Sequence, residues 1–243
     1  MGRWRAAWVI LAGLVLPALS PLLASPRTAP VVLWAWERTE DFRFLRPGEA
    51  EVAYLARTIQ LRGGGFRVRS RRNPVRIPEG IERIAVVRVE GPGLPRRRDQ
   101  VAAAIGELWS LLEVRRIQVD FDAVVGQRSF YRDLLGRLRR GAPPGARIAI
   151  TALGSWCLGD PWIRDLPVDE AVPMLFRMGR EDGAVRAALA RGGDFSVKAA
   201  RSSVGLSLDE PFPRFPSGRR VYLFSARPWT RHDYLKALER LAL

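Results

Sequence analysis

An α/β fold, a small or distorted (β/α)8 TIM-like barrel preceded by an N-terminal signal or anchor segment, is what this sequence predicts. Short apolar runs of strand type recur eight times, most of them separated by stretches with the 3–4 residue spacing of amphipathic helices. Alternating strands and helices build a parallel sheet covered by helices, and eight such units suggest closure into a barrel. An open doubly wound sheet is the fallback, but no Gly-x-Gly-x-x-Gly turn follows the first strand.

The elements run as follows. Residues 31–36 (Val-Val-Leu-Trp-Ala-Trp) predict a strand, 49–57 a short helix and 58–62 a second strand broken by Gly63-Gly64-Gly65. The basic stretch 66–82 is irregular, with room for an extra hairpin, and 84–90 is a strand ended by Gly91-Pro92-Gly93. Val101, Ile105, Leu108 and Leu112 mark a helix over 99–113. Strand 116–122, helix 129–140 and strand 148–153 come next, with at most a helical turn at 161–165. Strand 169–176, helix 182–190, a weaker strand at 204–208, strand 221–224 and helix 231–241 complete the order. The units after the second and seventh strands lack proper helices.

Arg3 and Arg5 precede a charge-free run from Ala6 to Ala24, the pattern of a secretory signal cut after Ala24 or of an uncleaved anchor. The sequence thus divides into a signal or anchor at 1–24 and one barrel domain at 31–243. The domain is expected in the periplasm or outside the cell, tethered to the inner membrane if the segment is kept. A lone cysteine, Cys157, leaves no intramolecular disulfide. The net charge of +15 comes from scattered arginines, with lysine only at Lys198 and Lys236. The dense block Arg67–Arg76 has no interleaved aromatics, so nucleic acid is not an expected partner. A solvated loop near anionic headgroups suits that block better. With one histidine, His232, neither a Ser-His-Asp triad nor a histidine-rich metal site has material, and no cofactor or metal is expected.

Charges inside strands carry the functional signal. Side chains two apart share a strand face. Gln118, Asp120 and Asp122 share one face, as do Arg88 and Glu90, and Gln60 and Arg62. Three consecutive strands therefore aim polar groups into one lumen near the carboxyl ends, where barrel enzymes do chemistry. Asp120 and Asp122 are the candidate acid/base or stabilising carboxylates, with Glu90 and Glu37 as possible partners; glycoside hydrolysis needs two such groups. A fixed ion pair between Arg88 and Asp120 is the alternative use of the same charges. Trp36, Trp156 and Trp229 fall at or beyond the ends of the first, fifth and eighth strands, placed to rim the mouth with flat apolar faces for sugars. Together with Arg88 they are the expected substrate-binding residues.

Val-Leu-Trp-Ala-Trp-Glu-Arg at 32–38, Val-Asp-Phe-Asp-Ala at 119–123 with Phe130-Tyr131 and Leu134-Leu135, residues 148–156 and residues 168–174 together resemble an uncharacterised bacterial domain-of-unknown-function family. That family is similar to glycoside-hydrolase-like TIM barrels, and the resemblance implies the barrel without implying a substrate. Chitinase-type barrels carry Asp-x-Asp-x-Glu at the end of the fourth strand. Here Ala123 and Val124 follow Asp122, so the glutamate is absent. Two readings follow: a carbohydrate-active, glycoside-hydrolase-like envelope protein using carboxylates at the barrel mouth, or a non-catalytic envelope protein binding a polysaccharide, glycan or protein there.

Overall fold

Runs that are apolar on both faces form strands covered on both sides, and eight of them close here into a parallel barrel. The computed structural model describes residues 31–242; the signal or anchor reading of 1–24 lies outside them. The barrel strands are β1 (Val31–Ala35), β2 (Glu51–Arg62), β3 (Arg83–Glu90), β4 (Arg116–Asp120), β5 (Arg147–Leu153), β6 (Glu170–Met174), β7 (Ser203–Ser207) and β8 (Arg220–Phe224). Each pairs in parallel with the next, and β1 pairs with both β2 and β8. Among the described residues no helix is long and apolar enough to cross a membrane.

The outer layer is uneven, as expected of a distorted barrel. α1 (Arg98–Leu111), α2 (Arg128–Arg140), α4 (Asp182–Ala190) and α5 (Arg231–Ala242) follow β3, β4, β6 and β8, while α3 (Gly154–Leu158) after β5 is a single turn or so. β2 instead folds back into an antiparallel partner, Gly65–Ser70. No helix of α type joins β7 to β8.

The helix expected at 49–57 is wrong: β2 runs unbroken for 12 residues from Glu51. Val52 through Ile59 are all buried, so the stretch lacks the alternation that reveals a half-exposed strand. Its register slips between Leu55 and Arg57, a β-bulge that reverses the facing of every residue beyond it. Ala53 and Leu55 face the lumen before the bulge, and Thr58 and Gln60 face it afterwards, beside Arg88 and Glu90. Arg57 turns outward to the carbonyl of Ala104 and to Glu107.

The lumen is filled from bottom to top. At the amino ends, Glu51, Arg116, Glu170 and Arg220 come from the four even strands and form a charged layer. Glu51 takes Arg116 at 2.8 Å and Arg220 at 2.7 Å, and Tyr222 donates to Glu170 at 3.1 Å. Layers of four from alternate strands are how such barrels pack. Above it Val32, Ala53, Ile84, Val172 and Tyr222 make a dry plug. Trp34 closes the plug: its indole N–H donates to Gln118 Oε1 at 2.7 Å, and its ring leans across to β7. There only glycine fits, because a Cβ on Gly205 would stand 2.8 Å from the indole.

Candidate active site

The plug ends one layer below the strand carboxyl ends, and the polar faces read from the sequence begin there. Thr58, Arg88 and Asp120 are register neighbours across β2, β3 and β4, and Gln60 and Glu90 are the next pair up. Trp36, just past β1, lies under the Arg88 guanidinium at 5.8 Å. Arg88 pairs with Glu90 at 3.1 Å, and Gln60 donates to the same carboxylate at 3.0 Å. The structure therefore gathers Trp36, Arg88, Glu90, Asp120 and Asp122 at one mouth.

Arg88 does not lock Asp120. Its ion pair goes to Glu90, two residues along its own strand. Asp120 instead accepts a hydrogen bond from Thr151 Oγ1 on β5 at 2.7 Å. Burial in the strand layer pushes its pKa up to about 6; Thr151 and Arg88 pull it down, and the Asp122 and Glu90 charges add to the rise. Such a carboxyl carries its proton over part of the neutral range, which is what a general acid requires. Asp122 is exposed by surface area but stands within the concave mouth, where surrounding protein removes part of its hydration and raises its pKa against the pull of Arg88. Two carboxyls perturbed in the same direction beside one arginine mark a site by their electrostatics.

Glu37 sits further out, paired with Arg69 of the hairpin strand at 2.8 Å. The tryptophan rim needs correcting. Trp156 is 5% exposed and packs edge-on against Trp162, 5.0 Å away. Trp229 is 4% exposed, its indole N–H donating to the Trp34 carbonyl at 2.9 Å. Both rings belong to the core between barrel and helices. Trp36, Phe176 and Phe224 all pack against the lumen plug, and Phe176 and Phe224 stack on each other at 5.6 Å with planes 6° apart.

Sequence reasoning missed the groups that brace this mouth. Arg71, read only as part of a basic loop, is half-buried and donates to the carbonyl of Trp36 at 2.6 Å and to that of Arg38. Arg38 in turn binds Glu40 at 2.6 Å and the carbonyls of Ser225 and Arg227 at 2.8 and 2.6 Å. These contacts join the loops after β1 and β8 to the hairpin. Cys157 is fully buried and its thiol is pushed up to about 12, so it is no nucleophile.

No family model matches the chain, and no curated relative matches it. Among solved structures it is similar to the Bacillus cereus spore cortex-lytic enzyme SleL, with a TM-score of 0.48 and 14% identity over 74% of this chain and 52% of that one. It is similar to the chitinase domain of the spore coat protein CotE from Clostridium difficile, at 0.44 and 12% over 80% and 68% of the two chains. It is also similar to an endo-beta-N-acetylglucosaminidase from Cordyceps militaris, at 0.44 and 10% over 81% of each. The chain spans about half the length of SleL.

Proposed function

We propose that this protein is a carbohydrate-active barrel of the bacterial envelope, with Asp120 as proton donor and Asp122 as the second carboxylate. The observation that carries the reading is Asp120 itself. It is a partly buried carboxyl at the carboxyl end of β4, raised to about 6, held by a neutral hydroxyl and left out of the Arg88–Glu90 pair. A structural ion pair would have neutralised it. In cleavage Asp120 protonates the leaving oxygen while Asp122 stabilises the developing positive charge or activates the attacking group. The Arg88 charge acts on both acids, and Arg88 also stands 5.8 Å from the Trp36 ring, an aromatic surface of the kind that suits the C–H face of a sugar. The signal-like segment at 1–24 supports an envelope location, periplasmic or extracellular, with the membrane as a partner if the segment is retained.

A second reading has an observation in its favour. Val124 stands where chitinase-type barrels carry the glutamate, and it is 64% exposed. A barrel that binds a glycan without cutting it retains Trp36 and dispenses with that acid. The two readings separate on purified full-length protein incubated with a panel of extracellular polysaccharides, scored for both bound glycan and new reducing ends. Hydrolysis predicts reducing ends that vanish in Asp122→Asn while binding persists. The binding reading predicts no reducing ends and weaker retention in Trp36→Ala. Neither product nor retention would overturn both.

A further inference from the structure

A hollow of about 340 Å3 lies at the carboxyl ends of β5 and β6, and β5 is the strand paired with β4, which carries Asp120. Its apolar side chains are Leu153, Met174, Phe176 and Met178, and Leu153 stands two residues along β5 from Thr151, the partner of Asp120. Arg177 and Arg180 edge it, with Glu181 the one acid on the lining.

Arg177 is held in an unusual way. Its φ is +52°, a left-handed conformation that side chains with a Cβ rarely adopt. Its backbone N–H donates to Glu210 Oε1 at 3.0 Å, 33 residues along the chain. Glu210 is in turn held by Arg186 at 3.6 Å and by Arg240, which donates to its carbonyl at 2.5 Å. Backbone strain maintained by such distant contacts collects at functional sites. The result is a guanidinium laid 5.2 Å above Phe224, the ring that stacks on Phe176. Among the described residues neither Arg177 nor Arg180 has a carboxylate partner for its guanidinium; Glu210 engages the Arg177 backbone and the Arg186 side chain. A planar fork fixed on an aromatic face beside an apolar floor matches a sugar ring bearing an acidic substituent.

Resting on the carbohydrate reading of the mouth, we infer that the glycan it takes is anionic. Arg177 and Arg180 bind a carboxylate or sulfate of the sugar unit that occupies this hollow. Field from the whole chain, net +15, favours the same ligands at long range.

The test is a binding array read with the full-length protein. It carries oligogalacturonate and its carboxyl-reduced form, chondroitin sulfate and desulfated chondroitin, neutral chitooligosaccharides, and polyglutamate as an anion without sugar. At least one acidic glycan is expected to bind about tenfold or more tightly than its neutral counterpart, one fork-type contact being worth that factor. Arg177→Ala and Arg180→Ala should each lose most of that preference, whereas Arg147→Ala at the opposite end of the barrel should not. Arg177→Gly keeps the left-handed backbone and removes the fork, so it should lose the preference with the fold intact. Equal binding of acidic and neutral pairs overturns the inference and leaves the carbohydrate reading standing. Polyglutamate bound as tightly as the acidic glycans also overturns it, by showing mere charge attraction. Binding to no glycan overturns both.

Discussion

Asp120 on β4 accepts its hydrogen bond from Thr151 on β5 at 2.7 Å, while Arg88, its register neighbour on β3, pairs with Glu90. The carboxyl is thus left with a neutral partner in a setting that raises its pKa to about 6. A site evolved for stability alone would have paired this carboxyl with the arginine, which stands on the adjacent strand on its other side.

The first consequence concerns stability against pH. A carboxyl raised in the folded state holds its proton more tightly there than in the unfolded chain. The stability it contributes is full below the unfolded value of 3.8 and lost as pH rises through about 6. Asp120→Asn, whose amide oxygen still accepts from Thr151, should leave stability near pH 4 almost unchanged. At pH 8 it should stabilise the fold by roughly 1–3 kcal/mol. Denaturant melts of both proteins at the two pH values check this.

Thr151→Val tests the hydroxyl. Its hydrogen bond lowers the Asp120 pKa, so losing it should push that pKa further up. The falling limb of the pH–rate profile should then move to higher pH, by an amount set by a bond worth about 1–2 kcal/mol. A limb that moves to lower pH, or not at all, would show that Asp120 does not set it.

Gly205→Ala addresses the plug under the site. The new Cβ meets the Trp34 indole at 2.8 Å, and Trp34 is fixed in turn by Gln118 at 2.7 Å. Overpacking of this kind costs about 1–3 kcal/mol. Thermal melts should show the loss, and the Trp34 fluorescence environment should change with it.

How much of this is legible in the sequence varies with the kind of residue. Asp120, Arg88 and Glu90 are visible because polar groups at every second position of otherwise apolar strands have only the lumen to face, and Asp122 continues that alternation two residues past the end of β4. The start of β2 is not, because burial on both faces erases alternation and the bulge at Leu55–Arg57 shifts what remains. Trp156 and Trp229 fell near the correct strand ends, but sequence position does not give ring direction, and both rings turned into the core. Arg71 and Arg177 act through backbone carbonyls and an unusual φ, features that leave no trace in residue spacing.

Release of reducing ends from an extracellular polysaccharide by the full-length protein, measured between pH 4 and 8 beside Asp120→Asn, tests the proton-donor role most directly. The wild type should work best below about pH 6 and decline above it, and the variant should lose about a hundredfold or more while still binding the polysaccharide. Equal rates in the two proteins, with no decline through pH 6, would contradict it.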